Sequence, residues 1–422
     1  MSNRRRFLQK LSASFLASGM FIGNSSAAIS RSMIDHTMSE ADFWREIRNG
    51  FPLTRERIYM NNGTFGPAPY VVSQAMNSSS EEINRSGEYG NFDRERAFLA
   101  NFLGVKSEEL CLTHNTTEGI NIMAWGLPLN KGDEVILTTH EHVGNGLPWL
   151  NRAKLDGIII RTFEPQDTQA KNLEAIKNLT NSKTRVIAVP HVTCTTGVVF
   201  PIKEISDLAR SKGIYTAIDG AHGAGTFDLN ISELGCDFYA GCFHKWMLGP
   251  VGTGFLFVKQ ELLEELQAIQ IGGYSDSGWD MTSIPPVLNG LNPTAHRYDY
   301  GTQSRALYVG AAAAAQYHLE IGKDKVETRI KDLNECLYLG LQDLGSKIQI
   351  LTPLEKESRI AMISFKSDLK DFKELGIELA KEGFRIRQVP ESAVNSIRVS
   401  THIYNSKSEI ELLLKAIEKI LG

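Results

Sequence analysis

The chain has 422 residues, 42% of them hydrophobic and 22% charged, with a formal net charge of −4 at pH 7. That is the composition of a globular protein long enough for a large core and more than one domain. The near-even charge balance gives no general electrostatic reason to bind nucleic acid or an anionic membrane, so local clusters must be read on their own.

The first cluster is Arg4-Arg5-Arg6, followed by Phe7-Leu8, an apolar stretch over residues 11–23 and the small residues Asn24-Ser25-Ser26-Ala27-Ala28. The apolar part is too short for a comfortable membrane span, and an arginine pair before Phe-Leu resembles a twin-arginine export signal. An uncleaved membrane anchor is the alternative. Residues 1–28 are set apart as a leader, which predicts use of the twin-arginine translocation machinery, a periplasmic or exported location and no stable membrane insertion after cleavage.

Residues 39–48 read as a polar helix. Asn61-Asn62-Gly63-Thr64-Phe65-Gly66-Pro67 reads as a tight loop near the start of a domain, either reaching into a cleft or forming a plain turn. Residues 69–103 are mostly helical in pattern, ending at Gly104. Apolar runs at 110–112, 134–137, 157–160, 185–189, 214–218, 238–241 and 254–258 then alternate with helical stretches. This spacing predicts crossover connections and an α/β fold with a mostly parallel sheet buried on both faces. Past Pro285-Pro286 and Asn292-Pro293 the pattern changes. An alanine-rich helical stretch runs from 304 towards 345 with a break near Gly322, and strand-like and helical segments over 360–421 make a smaller α+β unit. Ser406 and Glu409 form a capping-box pattern for the last helix.

Ligands of parallel sheets bind beyond the carboxyl ends of the strands, so those ends carry the candidate chemistry. After the first run stands Asn115-Thr116-Thr117-Glu118-Gly119, where hydroxyls and the N–H groups of an opening helix can seat a phosphate or serve as an ordinary N-cap. After the second stands His140-Glu141-His142; no third ligand lies at a metal-binding spacing, whereas a flat imidazole can stack on an aromatic cofactor. Asp219-Gly220-Ala221-His222 ends another run, and a carboxylate leaving an apolar strand calls for a cation or caps the following turn. Ala240-Gly241-Cys242-Phe243-His244-Lys245-Trp246 ends the next. Burial favours the neutral amine of a lysine, which can condense with a carbonyl, so Lys245 is the candidate for covalent attachment of a cofactor aldehyde. Asp219 and Lys245 together supply the partner of a pyridinium nitrogen and an imine-forming amine, the pair that pyridoxal phosphate requires. The five cysteines, Cys111, Cys194, Cys236, Cys242 and Cys336, are scattered, without Cys-x-x-Cys or zinc spacing, and indicate neither a disulfide framework nor a metal site.

The order Asn-Thr-Thr-Glu-Gly, Glu-His-x-x-Asn, Asp-Gly-Ala-His, His-Lys-Trp, Gly-Thr and a late arginine before Tyr-Asn resembles the class V aminotransferase superfamily of fold type I pyridoxal-phosphate enzymes. The resemblance implies a large domain (63–295) with a seven-stranded sheet, a small C-terminal domain (304–422) and an N-terminal segment (41–62) packing on the small domain. It implies that Lys245 binds the cofactor and moves the substrate proton, Asp219 meets the pyridinium nitrogen, His222 lies near the phenolic oxygen, and His142 stacks on the ring. Thr116, Thr117 and His244 hold the phosphate. Gly301-Thr302 reaches the phosphate of a neighbouring subunit, which implies a homodimer with shared active sites. Arg398 clamps a substrate carboxylate, with Asn61 as a second substrate contact. Cysteine desulfurases of this superfamily carry a catalytic cysteine shortly before the late arginine, and residues 385–398 contain none. Cys242 stands where those enzymes have a serine, which puts one phosphate hydroxyl in doubt. The motifs look closest to the isopenicillin N epimerase-like branch, and exported relatives that tailor siderophores are also similar. The expectation is an enzyme acting on an amino group of a small molecule or peptide metabolite by transamination or epimerisation. Oxidative decarboxylation or elimination is the alternative chemistry, and a non-catalytic binding protein the alternative class.

Overall fold

A computed structural model describes residues 34–422; the arginine-led leader lies outside the described residues. Helix α1 (Glu40–Asn49) is capped by Ser39 and buries Phe43, Trp44 and Ile47. Strand β1 (Ile58–Tyr59) follows. The helical stretch expected over 69–103 is two helices, α2 (Tyr70–Ser86) and α3 (Asp93–Leu103), because Gly87 turns left-handed at φ 76° and ends the first.

From there β2 (Leu110–Thr113), α4 (Thr116–Gly126), β3 (Glu134–Thr138), α5 (Val143–Asp156), β4 (Ile159–Phe163), α6 (Gln169–Leu179), β5 (Thr184–Ile187), α7 (Ile202–Ser211), β6 (Tyr215–Asp219), α8 (Ile231–Leu234), β7 (Phe238–Cys242) and β8 (Gly254–Val258) alternate. All seven apolar runs become strands of one seven-stranded sheet, in the order β2-β8-β7-β6-β5-β3-β4. Only β8 runs against the rest, so β2, β3, β6 and β7 end at the same edge. The α/β fold read from the sequence is the fold observed.

The sequence pattern did not reveal the next pair, β9 (Asp276–Asp280) and β10 (Val287–Leu291), an antiparallel hairpin whose residues are mostly exposed and rich in glycine and proline. Helices α9 (Arg305–Ile321) and α10 (Lys323–Gln342) part at Gly322. Then come β11 (Gln349–Ile350), β12 (Met362–Lys366), α11 (Phe372–Lys381), β13 (Phe384–Arg385), β14 (Arg387–Val389), β15 (Ser396–Ser400) and α12 (Lys407–Leu421). The capping box of Ser406 and Glu409 is formed at the start of α12. Strands β11-β12-β15-β14 make an antiparallel sheet, and β13 pairs in parallel with β1.

Three aromatic rings join this second sheet to the first. Trp246 stacks on His402 with centroids 5.6 Å apart, and His402 stacks on Tyr404 at 5.7 Å. His402 Nδ1 accepts from the Ile403 amide, which leaves its Nε2–H to donate to the Trp246 carbonyl at 2.9 Å. Tyr404 closes the ladder by donating to Asn62 Oδ1.

Burial pushes His402 down to about 3, and His191 and His318 down to about 4. An unfolded histidine titrates near ~6.5, so below that pH the unfolded chain takes up protons before the folded one. The stability these rings contribute is complete above about pH 6.5 and is lost as pH falls, at up to ~1.4 kcal/mol per pH unit for each ring. Urea midpoints measured between pH 7 and pH 4.5 are expected to fall steeply; equal midpoints at pH 7 and 5 would contradict neutral, buried histidines.

Candidate active site

At the shared strand edge, β2 delivers Asn115, whose side chain accepts from the Glu118 amide and caps α4. A Cβ on Gly119 would stand 2.8 Å from that of Ala240, so glycine lets the first turn of α4 lie directly against β7. Thr116 Oγ1 is buried there and has no hydrogen-bond partner. From β3 comes Glu141, half-buried between the Thr138 amide (2.9 Å) and the Asn145 side chain (2.8 Å), with its carboxyl pushed up to about 8 by desolvation. His142 follows and accepts the Gly144 amide on Nδ1 at 3.0 Å, which places its ring proton on Nε2; burial and then Lys245 hold it below its usual range. His140 faces elsewhere, towards Thr195, so the two histidines share no ligand position. Among the described residues no group of three or more His, Cys, Asp or Glu is placed to hold a metal ion.

β6 ends in Asp219, buried, with Oδ1 accepting the Ala221 amide at 2.9 Å. The Lys245 amine, beyond the end of β7, lies 3.4 Å from His222 Nε2. Trp246 Nε1–H donates to His222 Nδ1 at 2.9 Å. Burial pushes His222 well below its ordinary value, so the ring is neutral and, with Nδ1 accepting from Trp246, its proton sits on Nε2, facing the Lys245 amine. The lysine loop is pinned from the N-terminal side as well. Gly66 N–H donates to the His244 carbonyl at 2.9 Å, and a Cβ on Gly66 would fall 1.7 Å from the Lys245 carbonyl oxygen, a contact only glycine permits.

Opposite stands Arg398, fully buried in β15. It donates to the Cys194 carbonyl and, at 3.1 Å, to Thr64 Oγ1, while its Nε has no partner. Burial pushes the guanidinium down to about 10.

These groups line one cavity of about 230 Å³. Thr116, Thr117, His142, Asp219, His222, His244, Lys245 and Arg398 all face it. Asn61 does not, contrary to the expectation of a substrate contact. Its side chain accepts from Thr64 Oγ1 at 2.9 Å within its own turn, and it is Thr64 that reaches the cavity and Arg398. Thr302 is exposed and lies outside this chain's cavity. Sequence reasoning missed Thr64, Cys194 and Arg387, which also line it. Only Arg387 left a signal, as a second arginine in a strand-like stretch near Arg398. Cys242, where a hydroxyl was in doubt, faces the cavity too. Burial alone would push its thiol up, but the His244 imidazole, followed by the Lys245 amine, holds it below its usual range.

A family model for aminotransferase class-V matches residues 70–413. The chain belongs to the class-V aminotransferase family. It is 27% identical over 405 residues to a probable cysteine desulfurase of Methanothermobacter thermautotrophicus, covering 89% of this chain and 98% of the relative. It is 27% identical to the isopenicillin N epimerase of Streptomyces clavuligerus, covering 91% of this chain and 100% of that one. Among solved structures, the cystine C–S lyase C-DES in complex with its product cysteine persulfide superposes with a TM-score of 0.80 at 26% identity, over 87% of this chain and 99% of that one. A mutant of C-DES has been solved with glycine covalently linked to its PLP cofactor.

As a member of the class-V aminotransferase family the protein is a pyridoxal-phosphate-dependent enzyme. Its cavity fits that cofactor on its own chemistry. The orphaned Thr116 hydroxyl at the N-terminus of α4, with Thr117 and His244 lining the same cavity, could seat the phosphate. The His142 ring can lie against the pyridine, and the buried Asp219 can meet its protonated nitrogen.

Proposed function

We propose that the enzyme acts on the primary amine of an amino acid or of a peptide-like metabolite, by transamination. The carrying observation is the Lys245 amine, held against His222 and facing the same cavity as the Arg398 guanidinium. When bound, pyridoxal phosphate supplies an electron sink for negative charge developing beside the amine. Arg398 holds the substrate carboxylate, a bidentate task that a planar fork suits. Lys245 Nζ would take the proton from the carbon bearing the amine and pass it, on the same side, to the cofactor carbon that carried the aldehyde, the relocation transamination needs, with its amine oriented by the proton on His222 Nε2. Asp219 keeps the pyridine nitrogen protonated. No residue after Cys336 is a cysteine, so a persulfide-forming thiol on the segment before Arg398 is not part of this reading.

A second reading, elimination at a carbon–sulfur bond, is favoured by the likeness to C-DES. Incubation with a panel of amino donors and 2-oxo acids separates the two. Transamination gives one new oxo acid for each new amino acid. Absence of acceptor-dependent turnover across the panel, with pyruvate and persulfide released from cystine, would move the assignment to the lyase.

The arginine-led leader supports export of the folded enzyme; replacing Arg4 and Arg5 by Lys is the test, and undiminished arrival in the periplasm would refute it. The exposed apolar residues Ile269, Trp279, Met281 and Ile284, close in sequence to Thr302, support a homodimer in which Thr302 serves the other subunit's site. Light scattering at micromolar concentration reads that directly.

A further inference from the structure

Arg398 has a second arginine opposite it. Arg387 of β14 pairs with Arg398 of β15 in antiparallel register, which puts both side chains on one face, and both line the cavity. Like charges directly opposite on a sheet are destabilising. Among the described residues lining the cavity, Arg387 and Arg398 are the arginines, Asp219 is the only acid, and Lys245 is taken by the cofactor in the reading above. The cofactor nitrogen takes Asp219, and the substrate's first carboxylate takes Arg398. Arg387 is left over.

Its present partner is Glu391, four residues on. Only one oxygen of that carboxylate is engaged; Oε2 is buried with no partner. Glu391 begins a segment in which Ser392, Ala393 and Asn395 hold left-handed φ of 53°, 55° and 49°, a conformation unfavourable for Ser392 and Ala393. The segment is tied to the main sheet by Ser392 Oγ donating to the Thr139 carbonyl at 2.6 Å. A half-satisfied carboxylate on a strained turn is a placeholder that an incoming carboxylate can displace.

We infer that the substrate is an amino compound carrying two carboxylates, one taken by Arg398 beside the reacting amine and the other, further along the chain, by Arg387 in exchange for Glu391. This rests on the amino-substrate reading above and names the class within it.

The test titrates the purified holoenzyme with glutamate and 2-aminoadipate and with their chain-matched monoacids norvaline and norleucine, following the cofactor's visible spectrum for apparent Kd. The diacids are expected to bind about tenfold or more tightly than the monoacids, the range of one charge-assisted pair. Arg387→Gln should collapse that ratio about tenfold, and Arg387→Lys should restore part of it. Glu391→Gln should move diacid affinity the other way, tightening it about threefold, a gain that misfolding cannot imitate. Equal binding of diacids and monoacids, or an unchanged ratio in Arg387→Gln, overturns the inference while leaving the amino-substrate reading in place. A spectrum that responds to none of the four overturns both.

Discussion

Lys245→Ala is expected to abolish the visible band that depends on covalent attachment of the cofactor and to lower turnover about 10⁴-fold or more, since it removes both the nucleophile and the proton carrier. The geometry explains why no neighbour can substitute. His222 is the nearest nitrogen at 3.4 Å, but its Nδ1 is engaged by Trp246 and burial keeps the ring neutral. The seat made by Thr116, Thr117 and His244 is untouched by the substitution, so the variant should still take up pyridoxal phosphate, more weakly and reversibly on dialysis. A variant whose band matches the parent would remove the enzyme from this mechanism and leave a binding protein on the same scaffold.

Asp219→Asn comes next in size. Asp219 is 5% exposed, and its Oδ1 already accepts the Ala221 amide, which fixes the carboxylate at the end of β6. Removing one partner of a buried pair costs roughly 3–5 kcal/mol. At 1.36 kcal/mol per factor of ten, turnover should fall by about 10² to 10⁴. The amide is isosteric and keeps the bond to Ala221, so urea midpoints should stay near the parent value while turnover falls. A loss of stability as large as the loss of activity would make Asp219 a structural residue instead.

The parts of the molecule legible in advance share a physical cause. Strands of a parallel sheet are covered on both faces, so β2, β3, β7 and β8 are buried along their length and read as largely apolar runs, and the residues just past their ends stand out as polar. Thr116, His142, Asp219 and Lys245 were visible for that reason, and all four face one cavity. The hairpin β9–β10 was not, because its side chains lie largely in solvent and nothing selects an apolar alternation there. Asn61 was chosen over Thr64 because composition identifies a turn without telling which way each side chain points; here the asparagine folds back on the turn and the threonine looks out. Cys194 and Arg387 reach the cavity from a loop after β5 and from the second sheet. Their proximity is a property of tertiary packing, which the strand-like stretch holding Arg387 hints at without specifying and nothing near Cys194 announces.

The ring ladder has a bearing on how variants of this protein are read. Lys245 is covalently continuous with Trp246, and Trp246 is held through its carbonyl and its indole face by His402, within 21 residues of the C-terminal Gly422. A lesion at His402 or Tyr404 lies far along the chain from Lys245. It nevertheless loosens the backbone from which the reactive amine hangs. A missense change or frameshift in the tail would therefore present as an active-site phenotype, with cofactor occupancy as the quantity that falls first.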